Sequence, residues 1–295
     1  MTGEPYVIMG VVNVTPDSFS DGGVFEDAVA AVAHAGRLVA EGARIVDVGG
    51  ESTRPGADPV PADVERRRVL PVVEGIASAG LPTQVSVDTM KLAVAEAAVD
   101  AGATYVNDVT AFRHDPELAG LVADRGLDCC LMHMLGEPRT MQREPRYDDV
   151  VDDVKAFLEE RMAAAVAAGI AEDRIQLDPG VGFGKTVEHN LELLRRLDEL
   201  TALGRPIVIG TSRKSFLGRI TGRDVTERVY ATAATSVLAF ERGARVFRVH
   251  DVAATADALA VAAATLAAGW PATPTTTTST TTRTPTTRTK TRAPR

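Results

Sequence analysis

Residues 83–108 read TQVSVDTMKLAVAEAAVDAGATYVND, and this stretch decides the fold. Its first five residues alternate β-branched and polar side chains and predict a short strand over 83–87. Asp88-Thr89 breaks that run. Residues 90–101 form an Ala-rich, helix-favouring segment whose apolar residues recur at i, i+3 and i+4 spacing. Gly102-Ala103 stops the helix, residues 105–106 resume a strand, and Asn107-Asp108 closes it. A strand, a helix and a second strand in that order are the unit that joins two parallel strands by a crossover.

Outward from there the same unit recurs along the chain. Strands are predicted over 6–12, 44–48, 83–87, 105–106, 128–132, 175–177, 207–209 and 246–249. They are short and apolar, as expected of parallel strands covered on both faces. Helices are predicted over 25–41, 62–79, 90–101, 116–125, 150–168, 187–200, 226–242 and 252–268. In 187–200, Leu191, Leu194 and Leu197 face one way, with Glu192, Arg195 and Glu199 on other faces. Gly42-Ala43, Gly102-Ala103 and Gly243-Ala244 each sit between a helix and the next strand, where glycine suits a left-handed helix end. Eight pairs in strict alternation predict an α/β fold, a (β/α)8 TIM barrel. The runner-up is an open doubly wound sheet, which would place its ligand at one switch point.

Composition sets the domain limits. Residues 273–295 contain 13 Thr, four Arg, one Lys, three Pro, no acidic residue and no aliphatic side chain larger than Ala. Such a segment cannot bury enough apolar surface to offset its ordering entropy. The chain therefore divides into a barrel over 1–270 and a disordered Thr/Arg-rich C-terminal tail over 271–295. The tail carries +5, so the body carries −13 against −8 for the whole chain. An acidic body argues against a nucleic-acid partner, though not against a local cationic pocket. No apolar run reaches about 18 residues, and no signal-peptide pattern opens the chain, so the expectation is a soluble, cytoplasmic protein with no membrane partner. Cys129 and Cys130 are adjacent and lie in an apolar run, which offers no metal spacing and reads as two small core residues.

Polar residues cluster after every predicted strand: Asn13; Asp47 through Gly56; Asp88-Thr89; Asn107-Asp108; Met132-His133; Asp178-Pro179-Gly180; Thr211 through Lys214; and Arg248, His250 and Asp251. A barrel brings these ends to one face, where active sites are built. Ser212, Arg213, Lys214, Arg248 and His250 follow strands 7 and 8, where phosphate sites often form, and a protonated His donates as Arg and Lys do. Asp88, Asn107 and Asp178 come from strands across the mouth. Two carboxylates and an amide suit a heterocycle rich in ring N–H and amino groups, the amide both donating and accepting. The loops after strands 1 and 2, rich in Gly, Ser, Pro and Thr, read as lids. Phe19, Pro55 and Phe183 are apolar groups suited to walling an aromatic co-substrate. Gly184-Lys185-Thr186 resembles the end of a P-loop, but Pro179 stands where its first glycine belongs. The glycines at 180, 182 and 184 instead suggest a backbone turning tightly beneath a ligand.

Residues 13–22 (NVTPDSFSDG) and 47–56 (DVGGESTRPG) closely resemble the two signatures of the dihydropteroate synthases. Further matches are 87–89 (VDT), 106–109 (VNDV), 131–134 (LMHM), 178–183 (DPGVGF), 211–218 (TSRKSFLG) and 248–252 (RVHDV), in order over about residues 6–265. The resemblance implies a folate-pathway transferase that joins 4-aminobenzoate to 6-hydroxymethyl-7,8-dihydropterin pyrophosphate and releases pyrophosphate. It implies a pterin set of Asp88, Asn107, Asp178 and Lys214, with Met132 packing on the ring. It implies Asn13 as the Mg²⁺ ligand, and Arg54, Arg248 and His250 with Asn13 around the pyrophosphate. The implied 4-aminobenzoate pocket, where sulfonamides would compete, is Phe19, Thr53, Pro55, Phe183, Ser212 and Ser215. Asp21 and Arg54 resemble mobile-loop residues. Catalysis falls to Lys214, Arg248, His250 and Asp88, and a homodimer is implied. Two alternatives share the barrel: a pterin-dependent methyltransferase serving a corrinoid, and a non-catalytic pterin-binding paralogue. The first has less use for Ser212-Arg213-Lys214 and Arg248-Val249-His250; the second is expected to lose loop residues, yet Asp21, Thr53, Arg54 and Lys214 are all present.

Overall fold

The computed structural model describes residues 4–15 and 23–267. The strands are β1 (Val7–Asn13), β2 (Ile45–Gly49), β3 (Gln84–Asp88), β4 (Tyr105–Asp108), β5 (Asp128–Met132), β6 (Ile175–Asp178), β7 (Val208–Ile209) and β8 (Val246–Val249). The helices are α1 (Gly23–Ala40), α2 (Ala62–Ser78), α3 (Leu92–Asp100), α4 (Glu117–Arg125), α5 (Val150–Ala167), α6 (Val187–Arg195), α7 (Asp198–Thr201), α8 (Ser215–Thr221), α9 (Val229–Glu241) and α10 (Val252–Leu266). The strands pair in parallel in the order β6-β5-β4-β3-β2-β1-β8-β7. The two ends of that order meet through a parallel bridge between Leu177 and Ile207 and a 3.0 Å bond from Leu177 N to Pro206 O. The sheet therefore closes into the barrel expected, which an open doubly wound sheet does not.

Two apolar layers hold the barrel. Val7, Met9, Ile45, Tyr105, Cys130, Val208 and Val246 fill its interior. Outward-facing strand residues such as Ile8, Val12, Val46, Val87 and Cys129 pack beneath the helices. Cys129 and Cys130 thus face opposite sides of β5 as buried free thiols, the core role expected of them. The period of two also carries the chemistry. Asp47, Ser86, Asp88, Asn107, Gln176, Asp178 and Arg248 are all in register with the inward side, so each strand lifts its last inward side chains to one rim.

Three local expectations are corrected. The helix predicted over 187–200 breaks into α6 and α7 at Arg196, whose guanidinium reaches Asp149 and Glu199. Its core face is Leu193, Leu194, Leu197 and Leu200, while Leu191 is 45% exposed. The loop after β7 contains a short helix, α8, seated by buried Phe216 and Leu217. Gly42, Gly102 and Gly243 have φ of +113°, +117° and +99°, a glycine-only conformation wider than the left-handed helical value expected. The tail over 271–295 and the loop residues Phe19 and Asp21 lie outside the described residues.

Candidate active site

Arg248 stands at the centre of the rim. It is an inward residue of β8, and its Nε donates to Asp47 Oδ2 at 2.6 Å while Nη2 donates to Asp88 Oδ2 at 2.5 Å. Asp47 also accepts from Ser86 Oγ at 2.6 Å and from Asn107 Nδ2 at 3.0 Å. A fully buried carboxylate requires such donors, and here they fix the orientation of two neighbours at once. Arg248 is therefore anchored by the protein's own carboxylates through Nε and Nη2, while its Nη1 has no protein partner among the described residues and stays available to an anion. The attraction of Asp47 and Asp88 holds its pKa above the ordinary Arg range despite burial.

The five residues expected to hold the pterin, Asp88, Asn107, Met132, Asp178 and Lys214, gather here. Asp88 and Asn107 pair across β3 and β4, and Met132 and Asp178 pair across β5 and β6. Burial pushes the Asp88 carboxyl up to about 7, with Arg248 pulling the other way. Asn107 donates one amide N–H to Asp47, which fixes its orientation and leaves the carbonyl oxygen and the second N–H for a ligand. Asp178 takes the Gly180 N–H on Oδ1 at 2.7 Å, leaving Oδ2 without a protein donor among the described residues. Burial raises its pKa too, against the pull of Lys214. The Lys214 ammonium bonds the Val181 carbonyl and sits 4.6 Å from the Phe183 ring centroid. Burial lowers its pKa to about 8. Three acceptors and one cationic donor around a buried cluster of Met132, Val109, Met134 and Met141 match a flat N–H-rich ring seated on thioethers.

The glycine loop after β6 closes this wall. Gly180 has φ of +66°, and a Cβ there would lie 1.8 Å from the His133 carbonyl oxygen. Lys185 is buried, donating to Phe183 O at 3.0 Å and lying 2.8 Å from His133 Nδ1. It braces the loop from below, so the P-loop resemblance has no structural content. His133, expected among the polar strand ends, is neutral: burial and then Lys185 drive its pKa to about 2.

The residues after β7 and β8 divide differently from the sequence expectation. Arg213 takes φ of +57° and forks onto Asp251 at 2.9 and 2.5 Å, so it is a brace and not a phosphate donor. That turn points Ser212 and Lys214 inward on either side of it. Ser212 Oγ accepts the His250 N–H at 3.1 Å and lies 3.0 Å from His250 Nδ1. With that backbone N–H accepted, the Ser212 hydroxyl is best placed to donate to Nδ1, which leaves the ring proton on Nε2 as a donor. Burial, followed by Arg248 and Arg213, lowers the His250 pKa to about 4, which favours the neutral imidazole, still a donor through Nε2. Arg54 lies within electrostatic reach of the same ring. Asn13 ends β1 directly beside Gly49 of β2. Thr53, Arg54 and Pro55 form the loop above, pinned to the loop after β5 by Gly56 N to Pro138 O at 3.1 Å. Ser215 is exposed at the start of α8.

The sequence model of the pterin-binding enzymes matches residues 9–250. A dihydropteroate synthase of Neisseria meningitidis serogroup C is 50% identical over 258 residues, spanning 85% of this chain and 90% of the relative. The chain belongs to the dihydropteroate synthase family. Two solved synthases of Xanthomonas albilineans share its architecture. One, with 4-aminobenzoic acid, superposes with a TM-score of 0.84 at 49% identity over 90% of this chain and 94% of the other. The second, in complex with 7,8-dihydropteroate, has a TM-score of 0.81 at 47% identity over 90% and 95%.

Against that family background, Asp47 is the side chain that sequence reasoning passed over. It was seen only as the lead into a glycine loop, yet it orients both Arg248 and Asn107. The available signal was strand register: Asp47 lies two residues before Gly49 on the inward side of β2, the side that carries Asp88 on β3.

Proposed function

We propose that this transferase makes 7,8-dihydropteroate from 6-hydroxymethyl-7,8-dihydropterin pyrophosphate and 4-aminobenzoate. The observation that carries the reading is the set of acceptors on Asp88, Asn107 and Asp178 opposite the ammonium of Lys214. These groups would hold the ring edge-on, with Met132 against its face, and the two carboxylates would favour positive charge as the C–O bond to pyrophosphate breaks. Arg54, Arg248 and the His250 Nε2–H would stabilise the departing anion. Thr53, Pro55, Phe183, Ser212 and Ser215 would align 4-aminobenzoate, and sulfonamides would compete there. The aryl amine needs alignment and desolvation more than a base, so no side chain is assigned to deprotonate it. The decisive experiment is product formation from the two substrates. Dihydropteroate supports the reading; folded protein that binds pterin without turnover returns it to the paralogue.

Mg²⁺ fits this scheme as an ion carried with the substrate. Among the described residues no group of three or more His, Cys, Asp or Glu side chains could hold a metal alone. Asn13 would hold the ion through one hard oxygen at the rim, together with the substrate's own phosphate groups. When bound, the ion would neutralise charge on the leaving pyrophosphate.

Two titrating groups set a pH expectation. Asp88 must be ionised to accept the pterin N–H groups, so affinity falls as pH drops below about 7. Lys214 must be protonated to donate, so affinity also falls as pH rises above about 8. Calorimetric titration with 6-hydroxymethylpterin between about pH 5 and 10 should give a narrow bell with those limbs. A flat profile would remove both groups from direct contact with the ring.

A homodimer through α9 and α10 belongs to the same proposal. Val237, Ala258, Val261, Ala262 and Leu266 line an apolar cleft of about 620 Å³ between these helices. Val261 is 68% and Leu266 56% exposed, apolar side chains bordered by Glu241, Asp257 and Thr265 that a second copy would cover. Sedimentation should show a dimer, and Val261→Arg a monomer; a monomeric wild type would refute it. Among the described residues no helix is long and apolar enough to cross a membrane. A cytoplasmic setting accompanies this reading, since buried free thiols such as Cys129 and Cys130 are at home in reducing compartments.

A further inference from the structure

The loop after β2 carries Thr53, Arg54 and Pro55, but the side chains that hold it lie outside the machinery described above. Glu51 Oε1 accepts the Val60 N–H at 2.9 Å and so ties the two ends of the loop together. Its other oxygen takes Lys91 Nζ at 2.5 Å. Lys91 Nζ also bonds Glu65 Oε2 on α2. All three side chains are withdrawn from solvent, with exposures of 8% for Glu51, 14% for Lys91 and none for Glu65. Two carboxylates thus share one ammonium. Glu65 Oε1 is the one buried side-chain polar atom without a hydrogen-bond partner among the described residues.

Such a cluster is costly, and apolar side chains would fill the space at less cost. What it provides is geometry. Gly50, at the root of the loop, packs on α2 beside the stem of Glu65: a Cβ there would meet Val69 Cγ2 at 2.8 Å and Glu65 Cγ at 3.0 Å. The Gly50 carbonyl is taken by Arg68 Nη1 at 2.8 Å. Lys91 comes three residues after Asp88, with its own N–H 3.3 Å from Thr89 Oγ1. One short segment therefore supplies both the pterin carboxylate and the cation that grips the loop. Neither Lys91, Glu51 nor Glu65 lies among the groups that face the pterin.

We propose that Lys91, acting through Glu51 and Glu65, is a positioning residue that sets the loop carrying Thr53 and Arg54 in place for the second substrate. The inference rests on the dihydropteroate synthase reading and adds a residue to it. Glu51→Ala is the informative variant, because it frees the loop and leaves Lys91 and Glu65 as a balanced buried pair. It should raise the KM for 4-aminobenzoate by about tenfold or more, as a displaced alignment group does. The Kd for 6-hydroxymethylpterin, which carries no pyrophosphate for Arg54 to meet, should stay within about twofold by calorimetry. Lys91→Met should give the same split with a lower Tm, and Lys91→Arg should restore most of the affinity for 4-aminobenzoate. Amide hydrogen exchange over residues 51–57 should quicken in Glu51→Ala, a readout that does not need turnover. Unchanged exchange, an unchanged KM in folded Glu51→Ala, or an equal loss of pterin affinity would each overturn the proposal. Absence of dihydropteroate from the wild type would instead refute the function on which it rests.

Discussion

Arg248→Ala should lower the unfolding free energy by about 3–5 kcal/mol and turnover by about 10³-fold or more. The variant removes the one guanidinium that pairs with both Asp47 and Asp88 and leaves those carboxylates facing each other in the barrel mouth. Asn107 suffers indirectly, because the acceptor that orients its amide is Asp47. The stability loss has a predictable sign with pH. Asp88 already titrates near 7, above its value in an unfolded chain, so its contribution is present at low pH and lost as pH rises through that value. Removing its cation raises it further, and the deficit of the variant should widen from acid to alkaline conditions. Urea unfolding at several pH values measures this, and Asp47→Asn/Arg248→Gln provides the control. The paired change should recover part of the stability, since Asp88 alone and not both carboxylates is left without its cation, but none of the turnover. Near-native stability in Arg248→Ala would mean that the carboxylates are held by something other than this ion pair.

That coupling of fold to chemistry explains how much could be read beforehand. The barrel was legible because its signal repeats: eight apolar runs, eight amphipathic helices and eight polar ends agree with one another. The rim was legible for a related reason. Asp88, Asn107 and Asp178 end strands, and a closed parallel barrel sends strand ends to one face. What sequence order could not convey is which polar group is consumed by another. Arg213 and Arg248 follow neighbouring strands and looked alike as phosphate donors. The structure gives Arg213 to Asp251 and Arg248 to Asp47 and Asp88, partners 38, 201 and 160 residues away. The burial of His250 beside two guanidinium groups is likewise a property of packing, not of its motif. The small helix α8 was missed because seven residues carry too little periodicity to be distinguished from a loop.

Lys214→Met should leave the fold intact and reduce kcat/KM for the pterin substrate by about 10²–10³-fold, the usual loss when a charged donor to the reacting system is removed. The side chain runs along Gly182, where a Cβ would come within 2.9 Å of Lys214 Cδ, so the methylene stem is packed and Met can occupy the same channel. The ammonium that is lost bonds the Val181 carbonyl, lies over the Phe183 ring and stabilises the charge of Asp178. Burial holds its pKa near 8, below its value in an unfolded chain. The charged form is thus a burden on the fold at neutral pH, and removing it should cost little stability there, offset by the loss of a cation beside Asp178. The wild-type alkaline limb of pterin binding should vanish with it, while the acid limb set by Asp88 stays. Lys214→Arg is not a rescue, because a planar guanidinium does not thread past Gly182 to the same point. If the variant loses activity yet keeps an alkaline limb near 8, that limb belongs to another group and Lys214 acts through Asp178 rather than on the pterin.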